Sequence, residues 1–235
     1  MKRETSNRIR FVLEELVPPI LRDSAFMRWL FERYWGAKVA ELEHFRRRIH
    51  RLTEADYEAV YVNLPRLHLD TDNSRACLER ITAELLPGRI VDIGCGAGGL
   101  LRHLIDNVPA DAYQHTGVDI VVPGDLERVL PGVTLVEGAV ERLPFEDRSF
   151  DTVICTHVLE HVVDIRTAVA ELRRICRRRL IIVVPKEREY RFTFNPHLHF
   201  FPYEHSFLRQ IMPVPENAIC ERVGRDFFYR EDREG

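Results

Sequence analysis

The chain has 235 residues, 45% hydrophobic and 30% charged, with a formal net charge of −3. That length suits one full α/β domain with a sizeable core plus a modest appendage, and the near-neutral balance makes no general case for nucleic acid or membrane binding. Five scattered cysteines (Cys77, Cys95, Cys155, Cys176, Cys220) form no C-x-x-C pair, which argues against a structural zinc site and a disulfide framework.

Met1-Lys2-Arg3-Glu4 leads into a charged amphipathic stretch rather than the apolar core of a signal peptide. No apolar run approaches the roughly 18 residues that span a bilayer. A reducing cytoplasm is therefore expected, with no membrane partner. Arginine clusters at Arg46-Arg47-Arg48, at Arg173-Arg174 and at Arg177-Arg178-Arg179. These read as a solvated helix face rather than an anion-binding patch.

Residues 1–73 read as helical throughout. Ser6 caps a helix carrying Ile9, Val12, Leu13, Leu16 and Val17, and Pro18-Pro19 ends it. Asp23 or Ser24 starts the next, with Phe26, Trp29, Leu30, Arg33 and Tyr34, and Gly36 closes or kinks it. Val39, Leu42, Phe45 and Ile49 continue the period, and Thr53 opens a short segment through Tyr57, Val60 and Tyr61. The aromatic stripe reads as core or a helix–helix contact, and such an extension suits a lid over a substrate pocket. Its apolar helices also offer a homodimer contact.

Residues 74–235 alternate in another rhythm. A helix over 74–86 ends at Pro87-Gly88. Strand 89–93, helix 98–107, strand 114–119, a short helix 124–130 and strand 133–137 follow. Strand 151–155, helix 164–177 and strand 180–184 come next, then a helix near 203–212 and strands near 218–223 and 226–230. This predicts a doubly wound, mostly parallel sheet of Rossmann-like type, closed by an antiparallel pair and preceded by the helical extension.

The first strand runs into Asp92-Ile93-Gly94-Cys95-Gly96-Ala97-Gly98-Gly99. Gly94-x-Gly96-x-x-Gly99 satisfies the dinucleotide fingerprint, and Asp92-x-Gly94-x-Gly96-x-Gly98 satisfies the S-adenosylmethionine version. A pyrophosphate wants helix amides and no nearby anion, so Asp92 would repel it. The ammonium and sulfonium of S-adenosylmethionine suit a carboxylate there. Asp119, ending the second strand, is placed to accept hydrogen bonds from ribose hydroxyls, and Ile120 beside it to pack on adenine.

Further motifs follow in order: Gly138-Ala139-Val140-Glu141-Arg142-Leu143-Pro144-Phe145, then Phe150 to Val162 with its Val158-Leu159-Glu160-His161-Val162 segment, then the strand 180–185. With Asp92–Gly98 and Asp119 these blocks make the chain, from about 74 to 212, resemble a class I S-adenosylmethionine-dependent methyltransferase of the small-molecule type. The resemblance implies S-adenosylmethionine as cofactor, held by Asp92, Gly94, Cys95, Gly96, Gly98, Asp119 and Ile120. Ala139, Val140 and Glu141 would meet the adenine edge, and Thr156 and His157 the methionine arm. The family often has an acid at the position of Ala139; alanine leaves adenine to backbone groups, to Glu141 or to water.

The resemblance also implies an enzyme that methylates a small-molecule acceptor in a biosynthetic pathway. His157, His199 and Tyr203 are the candidates for catalysis and for shaping the acceptor pocket. Tyr57, Tyr61 and Asn195 are lesser candidates on the acceptor side. His157 and His161, four apart, could share a helix face, and His197 and His199 one strand face, as metal pairs do. With neither a neighbouring cysteine nor an evident third ligand, no metal is expected. Three other readings stay open: an RNA- or protein-directed methyltransferase docking through arginine, a non-catalytic module that binds S-adenosyl ligands or a partner chain, and, weakest, a nicotinamide-dependent dehydrogenase.

Overall fold

Buried runs form the central strands of the sheet, and its two edge strands have no buried residue, in the computed structural model, which describes residues 12–36, 38–51, 71–189, 191 and 196–233. The strands are β1 (Gly88–Ile93), β2 (Tyr113–Asp119), β3 (Thr134–Glu137), β4 (Phe150–Thr156), β5 (Cys176–Pro185), β6 (Ile219–Val223) and β7 (Asp226–Asp232). They form one seven-stranded sheet in the order β3-β2-β1-β4-β5-β7-β6. The first five of these pair in parallel, while β7 runs antiparallel to both β5 and β6. This is the doubly wound, Rossmann-like sheet with a closing antiparallel pair that the alternation predicts.

The central strands are apolar on both faces because helices cover both. β4 is buried along its whole length. Leu180 to Pro185 of β5 are equally enclosed. On one side, the helix Ile165–Ile175 turns Ile165, Ala168, Val169, Leu172 and Ile175 into the core. Its start is fixed by Asp164, whose carboxylate accepts from the amides of Arg166 and Thr167. On the other, the helices Arg75–Ala83 and Gly99–Asn107 bring Cys77, Ile81, Leu100 and Leu104 against Ile90, Ile154, Ile181 and Phe228. Each fully buried side chain of this size contributes about 1.5–3 kcal/mol.

Predicted boundaries are corrected at three elements. The helix expected over 164–177 stops at Ile175, and β5 begins at Cys176 rather than at 180. The arginines in between lie on a strand rather than on a helix face, with Arg177 and Arg178 exposed and Arg179 half-buried. Arg177 lies 3.6 Å from Asp151, and Arg179 pairs with Asp232 at 2.6 Å and Glu84 at 3.0 Å, so acids on neighbouring elements draw this segment into the sheet. Arg173 grips Glu231 through Nε and Nη2 at 2.9 and 2.8 Å. Arg174 binds Glu171 at 2.7 Å and Asp147 at 2.9 Å. The helix expected near 203–212 is shortened to Glu204–Leu208, and the carbonyl of Ile211 is taken instead by Arg173.

Ahead of the sheet lie a π-helical turn (Val12–Leu16), the helices Pro19–Arg22, Ala25–Trp35 and Lys38–Arg48, and a 3-10 turn (Ile49–Arg51). Ser24, rather than Asp23, caps the second helix by accepting from the Met27 amide. Leu13, Phe31 and Val39, with Val17 and Met27, form a small core. The aromatic stripe is not part of it: Phe26, Trp29 and Tyr34 are 66%, 57% and 78% exposed. The helix has one buried face to fill, and Met27 with Phe31, one turn apart, fills it. Arg22, itself buried, reaches the Glu189 carbonyl at 3.5 Å, while Lys186 meets Glu15 at 2.8 Å. The extension thus rests on the stretch that leaves the carboxyl end of β5. Of the helix expected from Ser6, the described part is the π-helical turn Val12–Leu16; its start, the segment of Thr53, Tyr57, Val60 and Tyr61, and Asn195 lie outside the described residues.

Candidate cofactor and acceptor site

Strand order reverses between β1 and β4, and in such sheets the crevice beyond the carboxyl ends of those two strands is the ligand site. At the end of β1 the amides of Gly94 and Cys95 both donate to the Val118 carbonyl, at 2.7 and 2.9 Å, and fold the turn across β2. Gly94 and Gly98 take positive φ, +77° and +76°. A Cβ on Gly94 would stand 2.2 Å from Val158, and one on Gly98 2.5 Å from Leu130, so both positions demand glycine for space as well as conformation. Gly98 then starts the helix Gly99–Asn107. Cys95 is buried among Leu101, Leu126 and Leu130, which makes its side chain a packing element and leaves its backbone to the site.

Two carboxylates flank this turn. Asp92 is 1% exposed, and its Oδ1 has no hydrogen-bond partner. Burial, with the neighbouring charge of Asp119 adding to it, pushes its carboxyl up to about 7. Asp119 is better served. Its Oδ2 accepts from the Gly96 amide at 2.7 Å and its Oδ1 from the Val121 amide at 3.3 Å. Each oxygen retains a lone pair for a further donor, as a ribose hydroxyl would be. Past β3, the Gly138 amide donates to the Asp119 carbonyl at 3.0 Å and brings the next loop alongside. Val140 is buried there, Ala139, Glu141 and Ile120 are half-buried, and the Ala139 carbonyl accepts from Arg142 at 3.1 Å.

The end of β4 is built differently. Thr156 is buried and its hydroxyl accepts from Asn73 Nδ2 at 2.9 Å. Asn73, just before the cap of the helix Arg75–Ala83, is a site residue that sequence reasoning missed. His157 turns left-handed, with φ +56°, and its amide donates to Val183 at 2.9 Å. From there the chain makes a turn, not a helix, so His157 and His161 do not share a helix face. His157 Nδ1 instead lies 3.4 Å from the buried carboxylate of Glu160. Burial disfavours the His157 imidazolium, but the Glu160 hydrogen bond and the fields of Asp226, Glu160 and Asp72 outweigh it and raise its pKa.

His161 crosses edge-to-face against His197, with ring centroids 4.7 Å apart. Burial and the repulsion of His197 push His161 down to about 4, which keeps it neutral. His197 Nδ1 lies 2.5 Å from Glu187, a carboxylate 1% exposed. His199 points elsewhere than its strand-face pairing with His197 suggested: its Nε2 donates to the Val162 carbonyl at 2.9 Å and ties down the turn after β4. Tyr203 is 48% exposed, stacked on His205 and under the guanidinium of Arg188. The structure therefore brings His157 together with Glu160, His161 and His197, and leaves Tyr203 at the surface. Glu160 sat within a recognised motif, but no local signal marked it, or Glu187, as a partner of histidine.

Comparison with known proteins agrees with this geometry. The methyltransferase domain family matches residues 91–184. An uncharacterised methyltransferase of Bacillus subtilis, YcgJ, is 31% identical over 139 residues, which are 57% of this chain and 53% of that protein. A demethylmenaquinone methyltransferase of a Roseiflexus species is 35% identical over 108 residues, 44% of each chain. This chain thus spans about half the length of the curated relatives it matches. Among solved structures, the PH0226 protein of Pyrococcus horikoshii shares the fold with a TM-score of 0.55 at 18% identity, covering 75% of this chain and 99% of its own.

Proposed function

From the class I S-adenosylmethionine-dependent methyltransferase domain that this chain carries over residues 91–184, we propose that it transfers the methyl group of S-adenosylmethionine to a small-molecule acceptor in a biosynthetic pathway. The observation that carries this reading is Asp92: a buried carboxylate with an oxygen lacking any partner, beside a glycine turn at the switch point of the sheet. An ammonium group satisfies that oxygen, and a pyrophosphate does not. The two glycines that admit no Cβ leave the backbone open to a ligand.

When bound, the cofactor supplies a methyl group already activated on a sulfonium, whose departing sulfur keeps the bonding electron pair. Asp92 faces the cationic methionine end, and Asp119 receives the ribose hydroxyls. Ile120 and Ala139–Val140 flank adenine, with Glu141 at its edge. Gly94, Cys95, Gly96 and Gly98 give the close backbone approach. Thr156 and His157 line the methionine arm.

Because the first task is to position two partners, enclosure matters as much as proton transfer. His157 takes the acceptor's proton: Glu160 holds Nδ1–H, which leaves the buried, unpartnered Nε2 as the basic nitrogen. His199 positions the turn that carries these groups, and Tyr203 stands at the rim. The helices of residues 12–51, docked through Arg22 and Glu15 beside the end of β5, support the lid assigned to residues 1–73.

The arginines spent on Glu231, Glu171 and Asp232 favour a small acceptor over an RNA or protein substrate, and the demethylmenaquinone methyltransferase among the relatives agrees. No helix of the described residues is long and apolar enough to cross a membrane. The exposed apolar side of the N-terminal helices supports a homodimer contact.

Calorimetry with S-adenosylmethionine, S-adenosylhomocysteine and NAD tests the reading. The two S-adenosyl ligands are expected to bind and NAD to give no heat. Asp119→Ala should weaken S-adenosyl binding by about 100-fold, given about 1.5–3 kcal/mol for each hydrogen bond to a charged group. Silence from both S-adenosyl ligands overturns the assignment.

A further inference from the structure

Beside the cofactor cradle, oxygen and nitrogen atoms of Glu160, His161 and His197 lie within 4.8 Å of one another. A metal-free account explains part of this. One Glu160 oxygen meets His157, and the two other imidazoles cross edge-to-face at 83°. It does not explain Glu160 Oε2, which is buried, without a hydrogen-bond partner, in a side chain 1% exposed. A second enclosed carboxylate, Glu187, stands behind His197 and pairs with its Nδ1. An ionised oxygen in so enclosed a place costs several kcal/mol unless a cation or a hydrogen-bond donor reaches it.

We propose that Glu160, His161 and His197 form a binding site for a zinc-class divalent cation, with Glu187 as the carboxylate that orients His197. A metal-binding histidine commonly gives its other ring N–H to a carboxylate, which fixes ring and tautomer. Glu187 does this at His197 Nδ1 and leaves Nε2 to the metal. Two nitrogens and one oxygen suit a borderline ion such as zinc, whereas magnesium and calcium take oxygen sets.

Backbone bonds hold the scaffold together. The amides of Leu198 and His199 donate to the Glu160 carbonyl at 2.7 and 3.2 Å, and so lock together the two stretches that carry the ligands. Three protein ligands are one short of a closed tetrahedron, the arrangement that keeps a position for water or a substrate atom. Through Glu160 the site adjoins His157, and so the acceptor face. That last link alone rests on the methyl-transfer reading; the metal binding does not.

The test uses the full chain, stripped with a chelator and dialysed. Cobalt(II) serves as the spectroscopic probe, and zinc affinity is read by competition with a chromophoric chelator. Wild type should take up one equivalent of cobalt, with visible bands of a low-coordinate nitrogen–oxygen site and no near-ultraviolet thiolate band, and zinc should displace it. His197→Ala and Glu160→Gln should each weaken zinc binding at least about tenfold, and Glu187→Gln about 10–100-fold. His103→Ala, against Thr82 on another helix, should leave it unchanged.

Circular dichroism confirms that each variant is folded; should one fail, wild-type stoichiometry and spectrum still decide. Substoichiometric uptake by wild type, a thiolate band, or affinity unchanged in all three site variants overturns the proposal. Calorimetry with S-adenosyl ligands is a separate readout, so the two readings fail independently.

Discussion

The carboxyl ends of β1 and β4 are neighbours in the sheet, Ile93 beside Cys155, yet they are built on opposite plans. At β1 the chain offers backbone: glycine amides, positive φ, and two carboxylates within one short turn and the next strand end. At β4 it offers side chains: a left-handed histidine, a buried glutamate, and imidazoles from a stretch beyond β5. The first plan recognises a ligand by close approach, which few substitutions can imitate. The second assembles chemistry from distant segments, and can be retuned one side chain at a time. The two meet where Gly94 packs against Val158.

Substitutions that act on one end, on both or on neither test this contrast. The largest expected effect belongs to neither. Arg173→Ala leaves the Glu231 carboxylate, 2% exposed, without its cation, and should cost about 3–5 kcal/mol in urea denaturation. Cofactor affinity of the folded fraction should not change. Gly94→Ala strikes where the ends touch. About 1–2 kcal/mol for the left-handed backbone and about 1–3 kcal/mol for the push against Val158 should appear together as lost stability and lost S-adenosylmethionine binding.

Asp92→Asn separates cofactor affinity from stability. The Asp92 carboxyl, raised from 3.8 to about 7, keeps its proton in the folded protein where the unfolded chain has lost it. Wild-type stability should therefore fall as pH rises across that window, and be level above it. A cationic ligand favours the ionised form, so S-adenosylmethionine affinity should climb with pH, by up to about tenfold per unit below about 7. Asparagine should abolish both slopes, weaken the ligand about 10–100-fold, and leave the protein no less stable near pH 8. Smallest is His199→Phe, which loses one bond to Val162, about 0.5–1.5 kcal/mol. It should raise the acceptor KM while cofactor affinity holds.

The same contrast governs what could be read from the chain. The order of strands and helices, the glycine turn, Asp92 and Asp119 are all local patterns, and the structure sets them at one crevice. Where β5 starts was not local, because Arg177 and Arg179 look like helix-surface residues until Asp151, Asp232 and Glu84 arrive from other elements. The spacing of His157 and His161 suggested a helix, but the +56° φ of His157 turns the chain away from one. No local pattern joins His197 to Glu160 and His161, which reach it through space. The stripe of Phe26, Trp29 and Tyr34 has helical spacing, and spacing does not tell which side of a helix finds a neighbour.

The position of β7 has a consequence for how the molecule comes into being. It is the last strand in chain order, yet it lies inside the sheet, with β5 on one side and β6 on the other. As the chain leaves the ribosome, β1 to β5 can pair before β7 exists, and β6 must wait for it. During that interval β5 presents a bare edge of Leu180, Ile181, Ile182, Val183 and Val184, the kind of edge that recruits strands from other chains. Phe227, Phe228 and Tyr229 then cover it and complete the core beneath. Protection of that edge during synthesis is thus deferred until β7 has emerged.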